Sequence, residues 1–224
     1  MSPTPFSPSP GEPVLVLLEA GADGARLPRV ADPAVPHLRV SDQGVTRGDG
    51  LFETALAVAD EAGVLRMRKL GAHLGRLASS AAALQLPAPS AAAWEAAVER
   101  GLQAFAAAND VAAGDRLSVR LTVTRGPEAA PGAVPEPSAW ALLSPAPAVE
   151  DEERRTGLRV LLLDRGLDSR APERSPWLLT GAKTLSYAVN MAALRHARDH
   201  GADDVVFTSA DGYLLEGPTS TVLI

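Results

Sequence analysis

Gly181-Ala182-Lys183-Thr184-Leu185-Ser186-Tyr187, followed after a helix-length stretch and a hairpin by Glu216-Gly217-Pro218-Thr219-Ser220-Thr221, decides how this chain is read. Lys183 stands where a loop gives way to a predicted helix, beside two small residues, Gly181 and Ala182, that let a bulky group approach. Of the 21 basic residues only two, Lys69 and Lys183, are lysines. Where arginine does most of the surface work, a lysine among small residues points to chemistry that arginine cannot do. An amine forms a Schiff base with an aldehyde; a guanidinium does not. On spacing alone, the competing reading is a surface lysine near a helix N-terminus.

Outward from Lys183, the spacing predicts a helix over 184–200 closed by Gly201. A strand over 205–208, an Asp211-Gly212 turn and a returning strand over 213–216 follow. Residues 220–224 begin another strand inside an apolar run, so the last unit reads as unfinished. Upstream, 158–163 reads as a strand and 167–177 as a loop. Pro145, Pro147 and the charged run 150–155 mark 144–156 as a linker. Before it, strands are expected over 14–19, 51–59, 64–68, 117–124 and 139–143, with loops over 21–37, 44–50 and 125–137. Helical spacing of Leu70, Leu74, Leu77, Ala81 and Leu84 predicts one helix, stopped by Pro87 and Pro89. Ser90 caps a second that runs to about Ala108. The expected organisation is a disordered arm (1–13), an N-terminal α/β domain (14–143), the linker (144–156) and a C-terminal domain (157–224).

Composition narrows the class. Hydrophobic residues at 46% support a sizeable core, and charged residues at 21% suit a soluble globular protein. A net charge of -6 argues against nucleic acid as a partner and leaves no polybasic patch for a membrane surface. With no cysteine there are no disulfides, no thiolate catalysis and no cysteine-ligated metal, and no other metal site is expected. The Pro- and Ser-rich start is not a signal peptide, and no apolar run reaches spanning length. The cytoplasm is the expected location.

The lysine, helix, hairpin and Glu-Gly followed by small hydroxyl residues resemble the C-terminal signature of fold-type IV pyridoxal-phosphate enzymes, the class IV aminotransferase family. Three earlier stretches match in order: Gly48-Asp49-Gly50-Leu51-Phe52-Glu53-Thr54, His73-Leu74-Gly75-Arg76-Leu77 and Val123-Thr124-Arg125-Gly126. Four ordered motifs over roughly residues 40–224 are far more specific than any one of them. The resemblance implies a mixed α/β (α+β), two-domain D-amino acid aminotransferase-like fold with a truncated C-terminal domain, and a homodimer acting on a small-molecule substrate.

It also implies site roles. Lys183 would carry pyridoxal 5'-phosphate and move the substrate proton. Glu216 would pair with the pyridine nitrogen, keeping the ring protonated and a better electron sink. Arg76 would hold the phosphate, with Thr219 and Ser220 adding polar contacts there. Tyr187 would reach the ring hydroxyl, or else belong to the core. Phe52 and Thr54 would face the substrate, although a strand phenylalanine is more often simply buried. His73 reads as structural, and Asp49 and Glu53 have no role derivable from spacing.

Three readings fit. In aminodeoxychorismate lyase chemistry, Lys183 takes the proton from the amine-bearing carbon and pyruvate leaves, giving 4-aminobenzoate for folate synthesis. The Lys183 and Glu216 motifs look closest to members assigned to this lyase. Transamination of D-amino or branched-chain amino acids is the second. Glu53 resembles its pattern, but the basic pair that D-amino acid transaminases use after Arg125-Gly126 and the tyrosine-rich branched-chain motifs are missing. An inactive, truncated fragment is the third.

Overall fold

Strand alternation organises the first part of the chain. The computed structural model describes residues 6–21, 24–129, 136–146 and 151–223. The chain divides into two compact units, one of Met1–Ala146 with Ala182–Leu185, the other of Pro147–Gly181 with Ser186–Ile224.

The first unit contains β1 (Val14–Ala20), β2 (Arg26–Ala31), α1 (Gln43–Arg47), β3 (Gly50–Ala59), β4 (Leu65–Met67), α2 (Leu70–Ala83), α3 (Ala91–Ala108), β5 (Arg116–Thr124) and β6 (Ala139–Pro145). Its six strands form one antiparallel sheet in the order β2-β1-β6-β5-β3-β4. One face is the core. Leu117, Val119, Leu121 and Val123 of β5 are all buried, as are Ala139, Ala141 and Leu143 of β6. Helix α2 packs on β3 through Leu74, Leu77 and Ala81, and α3 crosses β1, β2 and β6. Ser90 starts α3 as its spacing predicts, its Oγ accepting from the Ala93 amide at 3.3 Å.

Two stretches read as loops are structured. Residues 21–37 contain β2, an edge strand whose Pro28 disguises it; proline is tolerated there because an edge leaves one row of amides unpaired. Residues 44–50 contain most of the short helix α1, capped by the Asp42 side chain on the Gly44 amide and closed by Gly48 at φ 68°. Of the expected arm, residues 1–5 lie outside the described residues. Residues 6–13 hold no helix or strand, and the Gly11 amide donates to Asn109 Oδ1 at 2.7 Å.

The second unit contains α4 (Asp151–Thr156), β7 (Val160–Asp164), α5 (Ala171–Arg174), a 3₁₀ turn at Pro176–Leu178, α6 (Ala188–Asp199) and β8 (Asp204–Thr208). Strands β7 and β8 pair in parallel. Ala193 and Ala197 of α6 cluster with Ala202, Val205 and Phe207, against Leu161 and Leu163. Here too the chain is more ordered than the linker and loop readings allow: β6 runs to Pro145, α4 fills 151–156, and α5 and the turn occupy 171–178. Residues 147–150 lie outside the described set. The helix expected from 184 begins only at Ala188, because 182–185 is drawn into the first unit's sheet. The strand expected over 213–216 does not form: Leu214 makes an isolated bridge to Thr208, and beyond it the pairing is bulged, the Leu215 amide donating to Phe207 O at 2.8 Å while the Phe207 amide donates to Glu216 O at 3.2 Å. Two residues thus oppose one, which interrupts a regular ladder. Residues 220–223 form no strand. Among the described residues no helix is long and apolar enough to cross a membrane.

Two helical glycines separate packing from propensity. A Cβ on Gly101 of α3 would lie 2.5 Å from Leu143 Cδ1, whereas one on Gly75 of α2 would meet nothing within 4 Å. Gly75→Ala is expected to stabilise by up to about 1 kcal/mol. Gly101→Ala is expected to destabilise by about 1 kcal/mol or more, overpacking outweighing the same propensity gain. Urea unfolding of both variants checks the opposite signs.

Candidate active site

Three consecutive residues of β3 face alternate sides of the sheet. Glu53 points to the helix-covered face and is fully buried; Phe52 and Thr54 point to the other, Phe52 buried and Thr54 exposed. Beside them lies the lysine segment. Strand β4 pairs only with Ala57–Ala59, which leaves the start of β3 open at that edge. Residues 182–185 fill it. The Phe52 amide donates to Lys183 O at 3.0 Å, the Leu185 amide donates to Gly50 O at 2.9 Å, and Leu51 bridges Thr184. Gly50 is required there: a Cβ would stand 2.7 Å from both Leu185 Cδ1 and Val123 O. The Lys183 amide also donates to Ser80 Oγ of α2 at 3.4 Å.

So held, Lys183 is half-buried with its Nζ 4.6 Å from the centre of the Phe52 ring. The Arg120 guanidinium lies over the same ring at 4.0 Å. The sequence reading missed Arg120. Its signal is the strand register, in which Arg120 stands opposite Thr54 and Thr122 opposite Phe52. That register becomes visible only once β3 and β5 are paired.

Arg76 and His73, one turn apart on α2, both meet Glu53. Arg76 donates from Nε to Oε1 at 2.5 Å and from Nη2 to Oε2 at 2.7 Å; His73 Nδ1 donates to Oε2 at 2.9 Å. An ionised carboxylate only accepts, which fixes the histidine tautomer. Burial pushes the Glu53 carboxyl up, but the bonds from Arg76 and His73 outweigh it and hold it below the usual carboxylate range. The Glu53 grip takes one edge of the guanidinium, and planarity turns the Nη1 edge away. The last first-unit motif is likewise structural: Arg125 pairs with Asp49 at 2.6 Å and donates to Leu84 O and Gln85 O at the end of α2.

The remaining predicted residues lie in the second unit. Tyr187, half-buried, precedes α6 and its carbonyl accepts from the Met191 amide. Glu216 is exposed, its Oε1 accepting from Thr221 Oγ1 at 3.5 Å. The Gly217 amide donates to Ser220 O at 2.9 Å, closing a tight turn. Thr219 is exposed, and the Ser220 hydroxyl donates to Asp204 Oδ2 at 3.0 Å.

Residues 50–224 match the model of the amino-transferase class IV family. The chain belongs to that family. Its members depend on pyridoxal phosphate. The chain is 43% identical over 195 residues to the bifunctional aminodeoxychorismate lyase / D-amino acid transaminase of Mycobacterium tuberculosis, a match covering 87% of this chain and 63% of that protein. It thus spans less than two thirds of that curated relative's length. Among solved structures, a fold IV-transaminase from Curtobacterium pusillum matches with TM-score 0.77 and 42% identity, over 93% of this chain and 68% of the other. The PLP-bound form of a hypothetical aminotransferase from Mycobacterium tuberculosis matches with TM-score 0.76 and 42% identity, over 92% and 66%. A branched-chain aminotransferase from Thermoproteus uzoniensis, 21% identical with TM-score 0.68, shares the fold.

The Glu53 cluster sets an acid dependence. With its folded pKa below the unfolded one, Glu53 stabilises the fold above the unfolded carboxylate range and loses that contribution as pH falls through the depressed value. Glu53→Gln is expected to cost about 1–3 kcal/mol at neutral pH, since its buried amide turns an NH2 group toward the donors of Arg76 and His73. The difference from the parent should shrink as the solution is acidified. Urea midpoints at pH 7 and pH 3 check this; an equal difference at both would sink it.

Proposed function

We propose that this chain carries pyridoxal phosphate on Lys183 and acts, as a homodimer in the cytoplasm, as an aminodeoxychorismate lyase that releases pyruvate and forms 4-aminobenzoate for folate synthesis. The observation that carries the reading is the seating of Lys183: its backbone is tied into the sheet and its amine lies over a buried aromatic ring. A surface lysine needs neither.

The residues suit the cofactor group by group. An aldehyde calls for an amine, Lys183; a protonated ring nitrogen calls for a carboxylate, Glu216; a phosphate calls for a guanidinium and a hydroxyl donor, Arg76 with Thr219, while the Ser220 hydroxyl proton is given to Asp204. Tyr187 would meet the ring hydroxyl, and Phe52 and Thr54 the substrate. When bound, pyridoxal phosphate supplies an electron-poor ring that takes up the electrons left as the substrate's C–H bond breaks.

Lys183 Nζ takes that proton from the amine-bearing carbon. The Phe52 ring beneath the amine keeps water off one side, and the backbone bonds of 182–185 limit where the side chain can swing. Glu216 holds the ring-nitrogen proton in place. In the lyase reading, loss of the proton lets the substrate ring aromatise as pyruvate departs. Transamination is the second reading, favoured by the bifunctional name of the 43% identical relative. It shares the proton removal and differs in where Lys183 returns the proton.

Borohydride reduction after addition of pyridoxal phosphate is expected to fix the cofactor's mass on the peptide containing Lys183. Lys183→Ala should abolish the labelling. Equal labelling of the Lys69 peptide would overturn the assignment. Pyruvate release from aminodeoxychorismate, set beside amino transfer from D-alanine and from leucine, separates the two reactions.

A further inference from the structure

Within the second unit, the segment that bears Glu216 is held by a circuit of side chains that none of the four motifs contains. Asn190, on α6, donates from Nδ2 to Pro218 O at 2.9 Å, two residues beyond Glu216. Its Oδ1 accepts from Arg165 Nη1 at 2.9 Å. The Arg165 guanidinium lies 4.6 Å over the ring of Phe207, and its backbone amide donates to Thr208 O at 2.8 Å. Phe207 in turn bonds the backbone of Leu215 and Glu216 at the bulge. The circuit closes on itself: Glu216 to Phe207, Phe207 to Arg165, Arg165 to Asn190, and Asn190 to Pro218. On the β8 side, Ser220 is tied to Asp204, and Gly217 sits so close that a Cβ would stand 2.8 Å from Val205 O.

We infer that Asn190 and Arg165 are positioning residues, which brace the 216–220 segment so that the exposed carboxylate of Glu216 is presented in one direction to the cofactor's ring nitrogen. This rests on the role proposed above for Glu216. The physical reason is leverage. A glutamate carboxylate sits at the end of three rotatable bonds, so its direction is worth fixing only if the backbone beneath it is already fixed. A bulge loosens regular pairing by leaving one residue outside the ladder. Beyond the bulge, Pro218 has no amide with which to pair. Its carbonyl is therefore the group by which the segment can be anchored to α6. Asn190 suits the task because one amide group donates and accepts at once, linking that carbonyl to a cation that is itself stacked on the bulge's partner.

Two measurements on the full 224-residue chain test this. In the first, hydrogen exchange is followed at the amides of Gly217, Thr219 and Ser220. Asn190→Ala, and Asn190→Asp, which keeps the acceptor for Arg165 but loses the donor to Pro218, are both expected to speed exchange about three- to tenfold, the range one neutral hydrogen bond carries. Exchange at Val205 should stay unchanged. Unchanged exchange in the 217–220 segment would overturn the inference, and Asn190→Asp guards against a misfolded alanine variant. In the second, binding of pyridoxal phosphate is compared with binding of its analogue in which carbon replaces the ring nitrogen. Glu216→Ala is expected to erase the preference for the nitrogen ring, and Asn190→Ala to reduce it about three- to tenfold. A role confined to general stability would weaken both ligands alike and leave the ratio alone, which would overturn the inference. If Glu216→Ala itself leaves the ratio unchanged, the assignment of Glu216 falls, and the bracing is decided by the exchange rates.

Discussion

Everything proposed for Lys183 depends on four residues, 182–185, completing the open edge of β3. A strand start whose outer amides and carbonyls have no neighbour must find partners. The Phe52 amide and the Gly50 carbonyl find theirs in Lys183 and Leu185. This one docking explains several otherwise separate features. It delays α6 until Ala188, since the residues at 182–185 are docked on β3. It demands glycine at 50, where any side chain would strike Leu185. It also sets the lysine above Phe52, because the two residues are neighbours across the new pairing.

The period-two geometry of β3 explains why the first motif and the α2 motif travel together. With Phe52 turned to one face, Glu53 must enter the other, where α2 covers the sheet. A lone carboxylate there would be costly, and it is tolerated only with charged, hydrogen-bonded partners. Arg76 and His73, three residues apart, both point down from the same turn of α2 and meet it together. Asp49 and Arg125 repeat the arrangement at the end of the same helix. His73, which has no chemical role in this reading, thus belongs to the motif because the buried charge of Glu53 requires partners.

Elements set by their own residues were legible in the sequence. The alternation of β5, the Ser90 cap and the apolar stripe of α2 are local, and each appears where its pattern points. What was hidden depends on pairing partners distant in sequence. Edge strand β2 shows no clean alternation and exists because β1 lies beside it. Thr184 and Leu185 read as the start of a helix because nothing local shows that they dock on β3, more than a hundred residues away. Of the site, Lys183 announced itself by residue type; its place over the Phe52 ring comes from the pairing with β3. The partners of Arg76 and the position of Arg120 over Phe52 follow from register and helix docking, which spacing does not encode.

Glu53 and Glu216 show two ways of fixing a carboxylate, and the contrast sets a structural duty beside the chemical duty proposed for Glu216. Glu53 is fixed through its own oxygens: both are taken by Arg76 and His73, and the side chain is sealed from water. Such a carboxylate has nothing left for a ligand. Glu216 is exposed, and among the described residues its carboxylate is met by Thr221 at 3.5 Å, while its backbone is bonded to Phe207 and the turn beyond it is closed by Gly217 and Ser220. A side chain meant to receive a positive group must keep its oxygens available and draw its rigidity from the main chain. Arg76 stands between these cases. One edge of its guanidinium is committed to Glu53 while the side chain remains 56% exposed, so its orientation is set from within and its charge still reaches solvent. Its orientation is thus set by a buried anion behind it, whereas the phosphate role is the proposal made for it above.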